Sequence, residues 1–187
     1  MGRETNHERE ESKPGNVILP GKAIFLSAGD SHSAALLENG KVYAWGTFRV
    51  STVLKLCFEY WFYAAGKSEH KPVQLLPEKK VAKISSGDDH LILLTVDGLV
   101  YTCGNPESGQ LGRLSQRFAT RETRQGTKSL LTPCLVNIHP LHHYSKKIRC
   151  NDIFCGGYCS FAKDANAGSI YVTGLNNYKQ IGTYTSL

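Results

Sequence analysis

The sequence predicts an all-β protein, a partial β-propeller, on the strength of three observations. Residues 27–46 read SAGDSHSAALLENGKVYAWG and recur 58 positions later, at residues 85–104, as SSGDDHLILLTVDGLVYTCG. A weaker third copy begins at Cys155. Each copy reads as two short, nearly continuous apolar strands joined by a glycine turn, which predicts a β-hairpin buried on both faces. Hairpins stacked at this spacing are typical of propeller blades.

The elements of each copy follow one order. A glycine turn opens the copy, at Gly29 and at Gly87, and a short apolar strand follows. Asn39-Gly40 and Asp97-Gly98 come next, and such dipeptides favour the positive φ of a tight hairpin turn. A second apolar strand then ends in glycine.

The third copy is incomplete. It reads CGGYCSFAKDANAGSIYVTG, has one extra residue before its turn, and keeps a glycine at Ala167-Gly168 while losing the Asx residue. The stretch GNPESGQLG at residues 104–112 recurs as GLNNYKQIG at residues 174–182. The chain therefore holds two good copies and one partial copy.

Composition places the chain among globular proteins that can build a core. It has 187 residues, of which 41% are hydrophobic and 20% are charged, and its net charge of +6 is compatible with an acidic partner. The first residues show no apolar stretch behind a basic start, so we expect an intracellular, non-secreted protein. In such a chain we expect the cysteines to be reduced thiols.

Several polar residues invite a chemical interpretation that their repeat positions argue against. His32 and His90 share one repeat position, where the third copy has Cys159, so a structural role is favoured over a metal ligand or general base. The cysteines Cys150, Cys155 and Cys159 lack paired zinc-knuckle spacing. Adjacent Asp30, Ser31 and His32 cannot form a hydrolase triad. We predict no catalytic residue, metal, cofactor or small-molecule substrate.

Residues 50–65 break the pattern, and four interpretations of this run are open. A membrane span is disfavoured because the run is short and contains Lys55 and Glu59. A phosphate-binding loop would need glycine where Trp61 stands. A buried strand or helix could replace the outer part of the blade. Our hypothesis is that the run is foreign to the repeat, and the predicted organisation is a disordered tail (1–15) and a repeat region (16–187) with an anomalous insert (50–71).

Residues 27–49 and 72–183 closely resemble the regulator of chromosome condensation family, and the loop FATRETRQGTKSLL supports this beyond the general repeat. The resemblance implies the fold of a closed seven-bladed propeller that exchanges guanine nucleotide on the small GTPase Ran. About three copies cannot close such a ring, so we expect an open arc with exposed edge strands.

The resemblance also implies binding residues. Asp30, Asp89, Phe48 and Arg49 match the face that meets Ran, and of the turn acids we expect Asp30 and Asp88 to cap their turns and Asp89 to be the freer. Basic residues of a loop match the part of the family that reaches nucleosome histones, and these are Arg117, Arg121, Arg124 and Lys128. Arginine suits this task because its guanidinium binds carboxylates bidentately.

One segment of the chain departs from the family pattern that implies this function. In the family, the Phe-Arg pair leads into an Asp/Asn/Gly-rich hairpin that loosens the nucleotide of Ran, whereas Val50 here begins the anomalous run. We therefore expect a fragment or isoform with impaired exchange that is nuclear and chromatin-associated. Its expected partners are Ran and nucleosome histones, with DNA as a further candidate, and we expect no membrane partner. The alternative is a non-catalytic repeat module that binds a protein or a nucleosome.

Overall fold

A computed structural model describes residues 12–50, 54–57, 71–114, 130–139 and 147–182, together with Gly2 and Arg9. Within them the chain forms twelve strands: β1 (Ala23–Ala28), β2 (His32–Leu37), β3 (Val42–Val50), β4 (Leu54–Cys57), β5 (Val73–Leu75), β6 (Val81–Ser86), β7 (His90–Thr95), β8 (Val100–Gly104), β9 (Cys134–Leu135), β10 (Cys150–Gly156), β11 (Cys159–Asp164) and β12 (Ile170–Gly174). Among the described residues, no helix is long and apolar enough to cross a membrane.

The strands form three antiparallel sheets, one for each copy of the repeat. The first sheet has the order β1-β2-β3, with β5 on the outer edge of β3 and β4 on its far end. The second has the order β6-β7-β8-β9, and the third has β10-β11-β12. The prediction of a partial propeller of about three blades is thus confirmed, and the third blade shows three strands within the described residues.

Apolar side chains hold the blades against one another. Strand β6 packs on β1 and β2 of the first blade, and β10 packs on β6 and β7 of the second. All six residues of β7 are buried, which confirms that its nearly continuous apolar sequence is covered on both faces. One core cluster joins the first two blades around Phe48 and Ile84, and a second surrounds Ile153 between the second and third blades.

The hairpin turns differ in type from the expectation. In the first two blades the closing bonds run from Leu37 N to Lys41 O and from Thr95 N to Leu99 O, so the loops contain three residues. Only the glycines have positive φ, +81° at Gly40, which is typical of a type I turn with a glycine bulge. In the third blade the main-chain amides of Asn166 and Ala167 donate to Asp164 Oδ1. Asp164, the last residue of β11, thus takes the role of the Asx residue that the third turn lacks.

Part of the anomalous run forms a hairpin. Strand β4 pairs with the end of β3, with Val50 opposite Leu54. The outer strand of the blade is β5, which pairs with Val42–Ala44. The interpretation that the run replaces the outer part of the blade is therefore wrong, because β5 still forms the outer strand and the run precedes β5 in the chain. Its other residues after Val50 lie outside the described part of the chain.

One repeat position allows a matched test of blade packing. Ile84 is fully buried between blades, whereas Leu26, at the same position of the first copy, is 67% exposed. We expect Ile84→Ala to lower the free energy of unfolding by about 3 kcal/mol, because it leaves a cavity. Leu26→Ala should cost less than about 0.5 kcal/mol. Urea denaturation measures both, and equal losses would contradict this description of the interface.

Candidate partner-binding face

The turns that open the three blades meet at one end of the arc. Asp30 N donates to Asp88 O at 2.9 Å, and Asp88 N donates to Gly157 O at 2.9 Å. The bonds that join these turns thus come from the main-chain amides of the two aspartates, and each bond runs to the next blade. The three turns border an open hollow of about 400 Å³. A row of equivalent loops therefore forms a continuous surface, which we call the turn face.

The turn face carries some of the predicted site residues in an exposed position and buries others. Asp30 is exposed at the turn between β1 and β2. Asp89 is only 8% exposed and Phe48 is fully buried. The expectation that Asp89 is the freer acid is wrong, because the chain leaving β8 lies against it and Asn105 N donates to Asp89 O at 2.8 Å.

The hairpin of β3 and β4 leaves the first blade at this same face. Gly46 pairs with His32 across the sheet, and Thr47 N donates to Ser31 O at 2.8 Å. The main chain of Arg49, opposite Lys55, therefore lies beyond the end of the sheet, next to the turn of Asp30. The structure thus brings Asp30 and the Phe48-Arg49 segment together.

The second blade repeats this arrangement. The bond from Asn105 N to Asp89 O matches the bond from Thr47 N to Ser31 O, so the chain after β8 also departs from the turn face. That chain leads toward the predicted basic loop. Its residues Arg117, Arg121, Arg124 and Lys128 lie outside the described residues.

A buried polar chain joins the second and third blades beneath the turn face. His90 Nε2 lies 2.9 Å from Ser160 Oγ, and Ser160 Oγ donates to Gln110 O at 2.7 Å. Because Ser160 donates its hydroxyl hydrogen to Gln110 O, Nε2 of His90 must carry a hydrogen and donate it to Ser160 Oγ. This buried, neutral arrangement supports the prediction of a structural histidine.

Both histidines are held neutral by their surroundings. Burial lowers the pKa of His32 to about 4, and the nearby His90 adds to the effect. Burial also lowers the pKa of His90 to about 4, against a main-chain contact with Cys159 that raises it. His32 packs its ring 4.5 Å from that of Phe48, and neither of its ring nitrogens has a hydrogen-bond partner among the described residues.

Sequence reasoning missed an ion pair that joins the second and third blades. Lys83 Nζ bonds Asp152 Oδ1, a contact that lowers the pKa of this carboxyl, and it lies 4.1 Å from the centre of the Phe154 ring. Lys83 and Asp152 occupy the same repeat position in neighbouring copies. The sequence therefore contained a signal for this ion pair, namely residues of opposite charge at one repeat position in neighbouring copies.

The described residues offer little for metal chemistry. Among residues 12–50, 71–114, 130–139 and 147–182, no three His, Cys, Asp or Glu side chains lie close enough to hold a metal ion. Burial raises the pKa of the thiols of Cys103 and Cys155 to about 12, so both are protonated and unreactive at neutral pH.

Comparisons with known proteins agree with this architecture. Two family models, both described as the regulator of chromosome condensation (RCC1) repeat, match residues 24–48 and 81–110, and residues 97–162. The regulator of chromosome condensation of Xenopus laevis is 44% identical over 183 residues, which cover 98% of this chain and 41% of that protein. The guanine nucleotide exchange factor SRM1 of Saccharomyces cerevisiae is 37% identical over 98 residues, covering 52% of this chain and 20% of that protein.

A solved structure shares the fold. The crystal structure of Prp20p from Saccharomyces cerevisiae, published with its binding properties to Gsp1p and histones, superposes with a TM-score of 0.66 at 28% identity. The superposition covers 87% of this chain and 33% of Prp20p. The chain thus spans about two fifths or less of the length of the relatives it matches.

Proposed function

Since the chain belongs to the regulator of chromosome condensation (RCC1) repeat family, we propose that it binds the small GTPase Ran at chromatin and that its own nucleotide exchange is impaired. The relative SRM1 is a guanine nucleotide exchange factor, so the activity at issue is the release of bound nucleotide. The proposed binding residues are Asp30, Asp89, Phe48 and Arg49. Of the three whose side chains the structure describes, Asp89 and Phe48 are buried and Asp30 is exposed, so Asp30 can contact a partner directly.

The observation that carries the proposal is the hairpin of β3 and β4. It leaves the first blade beside the turn of Asp30, which is where the family resemblance implies an Asp/Asn/Gly-rich wedge. Here residues 50–54 read VSTVL, without an acidic residue or glycine. A partner could still meet the turn face, but the element implied to loosen the nucleotide has changed its chemistry.

A second contact is proposed for the basic loop. Arg117, Arg121, Arg124 and Lys128 would bind carboxylates on the acidic surface of the nucleosome's histone octamer, or DNA phosphates, through charge-assisted hydrogen bonds. The relative Prp20p was studied for its binding to histones, which supports this part of the proposal. Nuclear, chromatin-associated localisation follows from the same proposed partners.

The alternative function is a non-catalytic binding module of the same repeats. The altered hairpin favours it as well, since a turn face without a wedge would bind a protein and leave its nucleotide in place. The two functions differ in a single measurable step, which is nucleotide release after binding.

The test measures binding to Ran and release of labelled GDP for residues 1–187. We expect binding with little acceleration of release, and Asp30→Asn should weaken binding about threefold by removing a rim charge. The matched control is Glu38→Gln, because Glu38 is an exposed carboxylate at the opposite end of the blade. It should leave binding unchanged.

A restoring variant separates impaired exchange from the alternative. Ser51→Asp together with Thr52→Gly restores an acidic residue and a glycine to the sequence between β3 and β4, and we expect it to raise the rate of GDP release. Strong acceleration by the unaltered chain would contradict impairment. A chain that binds but stays inactive after the double substitution would favour the binding module, and the absence of binding would contradict both.

A further inference from the structure

Two basic residues stand opposite each other across the hairpin of β3 and β4. The register of the two strands places Arg49 directly opposite Lys55. Residues opposite each other in an antiparallel pair lie on the same face of the sheet, with their Cβ atoms about 5 Å apart. The hairpin therefore brings two positively charged residues together on one of its faces, which we call the basic face.

The opposite face of this hairpin is apolar. Phe48 pairs with Leu56 and Val50 pairs with Leu54. Because successive residues of a strand alternate between faces, these four residues share the face opposite to the two cations. The side chain of Phe48 is fully buried, and its ring lies 4.5 Å from that of His32. Phe48 thus anchors the apolar face to the first blade, and the basic face lies on the other side of the hairpin.

The hairpin contains no acidic residue that could offset its two cations. Residues 47–57 read TFRVSTVLKLC, in which Arg49 and Lys55 are the only charged residues. The turn beside the hairpin supplies one acid, Asp30, and the next acid along the chain, Glu59, lies outside the described residues. Like charges directly opposite each other destabilise a strand pair. An anion bound by both cations would remove this repulsion.

A phosphate group suits this pair better than a carboxylate does. A terminal phosphate carries about two negative charges near neutral pH and offers three acceptor oxygens, whereas a carboxylate carries one charge. The guanidinium of arginine binds phosphate through two parallel hydrogen bonds, and the ammonium of lysine adds a point charge. The pair of Arg49 and Lys55 therefore matches a phosphate in both charge and donors.

We propose that Arg49 and Lys55 form a binding site for the diphosphate of a nucleotide, so that the chain retains the nucleotide on its partner GTPase. This inference rests on the proposed function, because the family resemblance implies that the hairpin lies beside the nucleotide of Ran. The acidic wedge that the resemblance implies would repel phosphate there, whereas a basic pair attracts it. Because binding couplings are reciprocal, a chain that binds the diphosphate raises the affinity of Ran for GDP.

The first test needs no GTPase and uses inorganic pyrophosphate with the chain of residues 1–187. NMR spectra of the main-chain amides should show saturable shifts at Arg49 and Lys55, half complete near about 1 mM pyrophosphate at low salt. Lys55→Gln should weaken this binding at least about threefold. The matched control is Lys41→Gln, because Lys41 is an exposed lysine between β2 and β3, at the opposite end of the same blade. It should leave pyrophosphate binding unchanged.

A stability measurement separates a binding role of Lys55 from a structural one. Because Lys55 stands opposite a like charge, Lys55→Gln should leave the urea midpoint of unfolding unchanged or raise it slightly. Lys55→Arg keeps the charge and should keep pyrophosphate binding. Equal loss of binding in the glutamine and arginine variants would show that the hairpin needs lysine for its structure and would contradict the proposed site.

The second test measures the release of labelled GDP from Ran. We expect release in the presence of the chain to be at least about threefold slower than from Ran alone, and Lys55→Glu should remove this retention. By the same linkage, the chain should bind GDP-loaded Ran more tightly than nucleotide-free Ran.

Three results would overturn the inference. Pyrophosphate shifts that are absent, or that Lys55→Gln and Lys41→Gln weaken equally, would contradict the site whether or not Ran binds. GDP release that Lys55→Glu leaves unchanged, while the chain binds Ran, would contradict retention. Weaker binding of duplex DNA by Lys55→Gln, without a change in GDP release, would assign the pair to nucleic-acid phosphates instead. Pyrophosphate binding without Ran binding would contradict the proposed function and leave the phosphate site in place.

Discussion

Gly104→Ala is expected to lower the free energy of unfolding by about 3–5 kcal/mol, one of the largest effects of a single methyl group in this protein. Gly104 has a φ of +114°. An added Cβ would lie 2.5 Å from Asp89 O and 2.7 Å from the Cα of His90. Neither atom can move away, because both belong to the main chain that links the turn face to β7. Urea denaturation followed by circular dichroism measures the loss.

The control for Gly104→Ala is Gly109→Ala. Gly109 also has a positive φ, +79°, but among the described residues no atom beyond its two chain neighbours lies within 4 Å of an added Cβ. We expect Gly109→Ala to cost about 1–2 kcal/mol, because only the positive φ, and no steric contact, opposes the added methyl group. The difference between the two variants then measures the main-chain contact at Gly104, and equal losses would show that this contact does not matter.

Acidification from pH 7 to pH 5 is expected to lower the free energy of unfolding by about 4 kcal/mol, about 2 kcal/mol for each buried histidine. Burial lowers the pKa of both His32 and His90 to about 4, while unfolded histidine titrates near pH 6.5. Between these values the unfolded chain binds more protons than the folded chain. Stability therefore falls as the pH drops from about 6.5 to about 4, and it is nearly constant above about pH 7.

The variant His32→Cys tests this assignment. Cysteine stands at the same position of the third copy, at Cys159, so the repeat accommodates it. We expect the variant to be less stable at every pH because a cavity forms, and to lose only about half as much stability between pH 7 and pH 5. An unchanged pH dependence would mean that other groups cause it.

The blades could be predicted from the sequence because a hairpin is a local structure. The strands of each copy are adjacent along the chain, and the glycine turn between them sets their pairing. The family resemblance, and not the hairpin pattern, put Asp30, Phe48 and Arg49 on one face. The expectation that Asp89 is the freer acid failed, since Asp89 is only 8% exposed and the chain that leaves β8 lies against it, with Asn105 N donating to Asp89 O.

The anomalous run shows a second limit. The break after Arg49 was visible in the sequence, but nothing in the run showed that Leu54–Cys57 would continue the pairing of β3. Nor could its sequence show that the outer strand would be kept at Val73–Leu75. Both results depend on which edges of β3 stay available after the blade has formed.

The sequence by itself determined the repeat unit, the number of blades and the residues that face the core, since these follow from the period of the apolar residues and the spacing of the glycines. Only the tertiary structure decided how one blade meets the next. The bonds from Asp30 to Asp88 and from Lys83 to Asp152 depend on the register between sheets. Packing of separate sheets sets that register, and no local pattern encodes it.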